Sequence, residues 1–521
     1  MKSDNIKNKA RVRAEHFLQS AHAFQLGDLP TEQRHPLTYE LADLSRHNIT
    51  AALDILKEID LGVVAKVAAE ANALARLERA IAQTLQAGQR VFLYGCGATG
   101  RLSLSIEHIW RRLHHDHPAA GTVRGFMSGG DLALVHSIEN FEDHPEFGAR
   151  QLREIGFGPR DLLICSTEGG ETPSVIGATE EAARRSSRPP FFLYCNPDHV
   201  LHEQVERSRR VLENPAIEKI GLFVGPMALS GSTRLQASTA LMLGVGISLL
   251  KSAARGAPAP QLAELVSIMK EIDFSFLKPF IEEESRIYAE GGYVLYETDD
   301  YGITILTDTT ERAPTFSVQG FENQNDPARI PALSYLRLPK TKGAQEAWKA
   351  ILLREPVPLE WEELKSIAGR DRLFGFDFST QALHQREKLI APAQMHRFRI
   401  ERHDRQLYFE LGSCRHHIDL HGLPPLFEHV LLKMILNMHS TLLMGRYGRF
   451  ESNVMTWVKP SNKKLIDRTI RYVEYLLHHH NILGFSYQDI CYQLFEEMER
   501  MSSTQSVVLM TVESLKQRRG T

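Results

Sequence analysis

Long hydrophobic runs are scarce in this chain. The longest, Ala237 to Leu250, carries several small and polar residues and falls short of the roughly 20 apolar residues needed to cross a bilayer. It reads as a buried helix. Cysteine is sparse too: Cys96, Cys165, Cys195, Cys414 and Cys491 are odd in number and form no C-x-x-C pair. That excludes a disulfide scaffold and points to a reducing compartment. An excess of one charge is also missing, with 61 Lys and Arg against 64 Asp and Glu. Nothing demands an anionic polymer or a membrane surface as partner, and no basic patch interleaved with aromatics suggests nucleic acid. The first residues, MKSDNIKNKARVRAEHF, hold no apolar signal core, so a cytoplasmic location is expected.

What is present is the composition of a globular protein, 43% apolar and 24% charged. A chain of 521 residues predicts two or three domains. The first eighty or so residues read as helices, with 29–45 as a docking segment. Short β-rich runs then alternate with amphipathic stretches: 90–95, 122–130, 161–167, 191–197 and 220–226. Continuous apolar runs of this kind are strands buried on both faces, and the alternation predicts a doubly wound parallel sheet. Helices are expected from Gly231 to about Tyr288. A second series of β-rich runs follows at 292–298, 332–338, 372–378, 396–402 and 406–412, then a long helix from about Leu426 to Tyr447 and a helical tail. The halves match in pattern as diverged copies would.

The sharpest local signal is GCGATGR, Gly95 to Arg101, between the first strand and a helix. Such a turn presents backbone N–H groups and the positive end of the helix dipole, which suits a phosphate. The glycines allow close approach, and the Thr99 hydroxyl offers another donor. It is neither a Walker loop nor a full G-x-G-x-x-G. Three more loops, 128–131, 166–173 and 230–234, follow predicted strands. In open α/β sheets that edge is where ligands bind.

Several segments resemble a known family. YGCGATGRLS, FMSGGDLALVHSIENFED, STEGGETPSVIGA, YCNPD and GPMALSGSTRLQASTA, with LPTEQRHPLTYELADLS before them and YGITILTDTTERAPTF and KMILNMHSTLLMGRYGRFESNVMTWVKPSNKKLIDRTIRYV after, are similar to the N-acetylmuramic acid 6-phosphate etherases and glucokinase regulatory proteins of the sugar isomerase (SIS) superfamily. The resemblance implies an α/β fold of two tandem doubly wound SIS domains, parallel sheets flanked by helices, plus a C-terminal helical lid. The expected boundaries are 1–45 for the docking segment, 46–285 and 286–460 for the two domains, and 461–521 for the lid. The domains would form an intramolecular pseudo-dimer.

It also implies one hexose or amino-sugar phosphate, held by Gly97, Ala98, Thr99, Gly100, Glu139, Glu142, Thr167, Gly169, Gly170, Glu171, Thr172, Ser232 and Arg234, with Lys464 reaching in from the tail. In the second half, Glu297, Asp299 and Asp300 stand where the first has its glycine turn. A charge about 5 Å from a phosphate costs roughly 3 kcal/mol at an effective dielectric near 20, so one ligand site per chain is expected. Etherase chemistry needs one carboxylate to take the C2 proton and an acid to protonate the departing lactyl oxygen. The resemblance matches Glu142 and Glu311 to those groups. Departures are Ala98 for a hydroxyl residue, acidic Glu168 and Glu171 in the third-strand loop, Gln236 for Lys and Met227 for Glu.

The tandem layout and altered site favour a regulatory protein that senses a hexose phosphate and controls a protein partner such as a sugar kinase. The alternative is an etherase-like lyase that releases D-lactate. No cofactor and no metal is expected, although His417 and His421 would suit zinc if their segment were helical.

Overall fold

The computed structural model describes residues 2–24, 26–138, 141–253, 261–502 and 505–519. The first sheet holds β1 (Val91–Gly95), β2 (Val123–Met127), β3 (Leu162–Ser166), β4 (Phe191–Tyr194) and β5 (Glu218–Gly221). Their order is β2-β1-β3-β4-β5, and every pair is parallel. β1, β3 and β4 are buried along their whole length, which is why they read as unbroken apolar runs rather than alternating ones. The chain steps from β1 out to β2 and returns to β3 on the other side. The order therefore reverses between β1 and β3, and a crevice opens at their carboxyl ends.

The second sheet holds β6 (Tyr293–Glu297), β7 (Ser334–Arg337), β8 (Met395–His403), β9 (Gln406–Leu411) and β10 (Cys414–Asp419) in the order β10-β9-β8-β6-β7. β6 runs parallel to β7 and β8, but β8, β9 and β10 are antiparallel. The tandem α/β architecture is as expected, with a correction to its second sheet. Only Asp404 and Arg405 separate β8 from β9, and Asp404 has φ +53°. A two-residue link makes a hairpin, whereas a parallel crossover needs a dozen residues or more.

Three other expectations change. The run 372–378 is no strand: Arg370–Phe374 is a short helix, and the segment folds around Trp348, whose indole N–H donates to the carbonyls of Leu373 and Phe376 at 3.2 and 3.0 Å. The strand expected at 220–226 is Glu218–Gly221. His417 lies on β10 and His421 beyond its end, so the helical spacing that would have suited zinc does not arise.

The helices Gln236–Ala253 and Pro425–Arg446 are buried almost throughout, in a core shared by both halves. The tail helices Lys463–His479, Tyr487–Met498 and Val507–Arg519 have a core of their own. The N-terminal helix Lys2–Ser20 joins it, with Ala10, Ala14 and Phe17 among Val473, Leu494 and Phe495. Arg468 and Arg471 dock this layer on the first half through Glu32, at 2.5 and 3.1 Å. Among the described residues no helix is long and apolar enough to cross a membrane.

Candidate functional site

The glycine turn lies at the crevice between β1 and β3 and opens the helix Ala98–Leu113. Gly97 is the N-cap residue with φ +55°, a conformation that side chains disfavour. Gly100 is required for space: a Cβ there would come within 2.5 Å of the Met127 Cβ. The Thr99 hydroxyl accepts from the Cys96 N–H at 3.1 Å and donates to the Cys96 carbonyl at 2.9 Å. Thr99 therefore staples the turn, and the anion-binding groups left are backbone N–H groups and the helix dipole.

A cleft of about 440 Å³ is lined by Phe24, Glu142, Asp143, Glu171, Thr172, Pro173, Arg207, Asn462, Lys463 and Lys464. Glu142 sits in the short turn Phe141–Asp143. Its carboxylate accepts from the Cys96 thiol at 3.5 Å and from the Asn462 amide at 3.4 Å. Burial pushes the Glu142 carboxyl above its ordinary value; Lys464 pulls it back, while Glu171 and Asp143 add to the rise. A carboxyl held up in this way can carry a proton to or from a substrate.

Lys464 reaches the cleft, but its ammonium lies 2.5 Å from Glu171. Arg207 pairs with the same carboxylate and donates to its backbone carbonyl. Burial alone would raise Glu171, yet Lys464 and Arg207 outweigh it and hold the group at about 2. The acidic residue in this loop is thus matched by two cations. Glu168 is different. Burial, reinforced by Glu32, raises it to about 7. The Thr233 hydroxyl donates to one of its oxygens, and the other is buried without a hydrogen-bond partner among the described residues.

The remaining expected ligand residues fall into two groups. Thr167 and Thr172 lie by the cleft, hydroxyl to hydroxyl at 3.1 Å, and Gly170 turns the loop with φ +73°. The Gly169 carbonyl accepts from the Asn196 amide at 3.4 Å. Ser232 is buried, and its hydroxyl has no hydrogen-bond partner among the described residues. Arg234 ties the halves together, donating to Asp308 at 2.9 Å, Ser440 at 2.8 Å and Thr441 at 2.6 Å. Glu139 lies outside the described residues.

Glu311 comes from the second half, on the helix Gly302–Phe316. Its carboxylate meets the buried Arg101 guanidinium at 2.5 Å. Glu142 and Glu311 thus approach the two ends of the turn Cys96–Arg101. The small void beside Glu311, of about 20 Å³, is lined by Ala98, Arg234, Asp308, Lys433 and others and shares no residue with the Glu142 cleft. In the second half, Glu297 is ringed by Arg337, Arg397 and Arg399 at 2.7, 3.7 and 3.6 Å, so those cations already have a carboxylate among them.

Arg207, Asn462 and Phe24 were not anticipated. Arg207 sits in a charged helical run with no motif. Asn462 did carry a signal: it precedes a helix, and its side chain accepts from the Leu465 N–H at 2.9 Å as an N-cap does.

Residues 73–182 match the glucokinase regulatory protein N-terminal SIS domain. Among curated proteins, the N-acetylmuramic acid 6-phosphate etherase of Thermosynechococcus vestitus is 34% identical over 221 residues, covering 42% of this chain and 66% of that protein. The etherase of Rippkaea orientalis is 33% identical, covering 42% and 67%. That of Yersinia pestis is 32% identical, covering 42% and 68%. The chain spans about two thirds of the length of these relatives. Among solved structures, tagatose-6-phosphate ketose/aldose isomerase from Escherichia coli is 12% identical over 80% of this chain and 97% of its own, with a TM-score of 0.39. A score that low says nothing about activity. The curated relatives are consistently etherases by name, which corrects the regulatory reading that the tandem layout favoured and leaves a sugar-kinase partner without support. The chain belongs to the SIS family that includes the N-acetylmuramic acid 6-phosphate etherases and the glucokinase regulatory proteins.

Proposed function

We propose that this chain is an etherase-like lyase acting on a 6-phosphorylated amino sugar that carries a lactyl ether, with the domain boundaries expected from the sequence and a cytoplasmic location. The observation that carries the proposal is Glu142: a carboxyl raised by burial, in a cleft with Lys464 and Thr172, accepting from Cys96 of the phosphate-type turn. The phosphate would lodge against the turn at Gly97 to Gly100 and within reach of Lys464. Abstraction of the C2 proton and protonation of the departing lactyl oxygen would break the C3–O ether bond, form a C2–C3 double bond and release D-lactate; water adding across that double bond would return the saturated sugar, with no net change of redox state. Glu142, which lines the cleft beside Asp143 and the cation-paired Glu171, serves as its acid or base. Glu311 is the second carboxylate in this reading; it comes from the other half, is held by Arg101 and lines a separate void, so its part in the reaction requires release from Arg101 and an opening toward the cleft.

The test is release of D-lactate from N-acetylmuramic acid 6-phosphate. Turnover that is lost in Glu142→Gln and Glu311→Gln proteins supports the proposal. No turnover by the wild-type protein, or full activity in Glu142→Gln, sinks it.

A further inference from the structure

A second cavity, of about 480 Å³, lies away from the glycine turn. It opens beside the edge strand β2, between the helix Pro145–Glu154 and the segment 354–361 of the second half. The segment is firmly seated. Arg354 donates to both Glu107 oxygens at 3.0 Å, to Asp131 at 2.5 and 3.1 Å, and to the Gly125 carbonyl at 3.2 Å. The Val357 N–H donates to Asp131 at 2.6 Å. Trp361 donates to Glu154, and the Arg150 guanidinium stacks over its ring at 4.1 Å. The cavity is therefore a built joint between the two halves.

Two polar groups on its wall have unmet bonding capacity. The Arg124 Nε is buried with no hydrogen-bond partner among the described residues, and so is the Gln151 Oε1. Gln151 uses its other end, donating to the Met127 carbonyl at 2.8 Å. The wall carries Arg124, Arg150 and Arg354 against Asp131, Glu154 and Glu360. Arg354 is committed to Glu107 and Asp131, and Arg150 to Glu154 and Glu363 at 2.8 and 2.6 Å. Arg124 is the lining cation left without a carboxylate in bonding range among the described residues. Buried donors and acceptors are seldom left unmade, and a cavity of this size suits a small metabolite.

We propose that this cavity is a second ligand site, for a small anionic metabolite that carries a hydroxyl, with glucosamine 6-phosphate and glycerol 1-phosphate as probes: the anionic group against Arg124, a hydroxyl donating to Gln151. Because the walls come from both halves, occupancy would stiffen the joint between them. This inference does not rest on the etherase reading.

The test is calorimetric titration of the full chain with glucosamine 6-phosphate and with glycerol 1-phosphate. Wild-type protein should bind two equivalents of glucosamine 6-phosphate, one in each cavity. Arg124→Met should weaken one of them by about tenfold or more, the scale of a lost charge-assisted hydrogen bond, while Arg124→Lys keeps it and D-lactate release is unchanged in both. Circular dichroism checks that each variant is folded, and Gln151→Leu gives an independent perturbation should Arg124→Met not be. Binding to the wild-type protein in which no equivalent is weakened by either Arg124→Met or Gln151→Leu overturns the proposal, whereas failure of the glycine-turn cleft alone removes only the equivalent that is insensitive to both substitutions.

Discussion

Replacing Glu171 by Gln should tighten sugar-phosphate binding rather than weaken it. Glu171 is held at about 2, so it is fully ionised at neutral pH, and it occupies Lys464 at 2.5 Å. A phosphate drawn to Lys464 must share that cation with the carboxylate. At an effective dielectric near 20, a phosphate charge about 5 Å from Glu171 is opposed by roughly 3 kcal/mol. Glu171 is only 2% exposed, so salt screens little of this. Lys464 and Arg207 are partly exposed, and halving the figure for solvent screening still leaves about tenfold in affinity. The assay is titration of glucosamine 6-phosphate into wild-type, Glu171→Gln, Lys464→Met and doubly substituted proteins, which isolates the coupling. Affinity that is unchanged or weaker in Glu171→Gln, or two substitutions whose effects simply add, would refute the competition and recast Glu171 as a brace that holds Lys464 in position.

Other outcomes follow from the same geometry. Glu142→Gln should cut D-lactate release by about 10²–10⁴-fold, the range of a lost acid–base group, with binding of glucosamine 6-phosphate retained; steady-state kinetics beside calorimetry separates the two. Asp308→Asn should leave Arg234 and Arg312, which share that carboxylate, buried with less compensation. A loss on the order of 3 kcal/mol is expected, read as a clear fall in melting temperature with both sheets still folded by circular dichroism. For Glu171 the sign is that of a depressed carboxyl: its stabilisation is complete above pH 4.5 and drains away as the pH falls toward about 2. Hydrogen exchange in the helix Lys463–His479 should therefore accelerate on going from about pH 6 to about pH 3, after correction for intrinsic rates, and Glu171→Gln should flatten that change.

Much of the fold was written in local patterns. β1, β3 and β4 are buried on both faces, so their sequences are apolar without interruption and need no partner to be recognised. The turn at Gly97 is equally local, since a positive φ and a close approach to Met127 select glycine directly. The antiparallel β8–β9–β10 ribbon was missed: the expectation of parallel sheets overrode a β8–β9 link of two residues that is too short for a crossover. The segment 370–378 was missed too, because apolar residues wrapped around a distant Trp348 look like those of a strand.

By itself the sequence determined the two α/β halves, the loops that gather at one sheet edge and the family to which they belong, because those depend on burial and backbone geometry within short stretches. Only the tertiary structure decided which charges meet. Lys464 finds Glu171 across 293 residues, Arg354 finds Asp131 across 223, and Arg101 finds Glu311 from the opposite half. The field at a site is a sum over neighbours in space, and chain order does not record those neighbours.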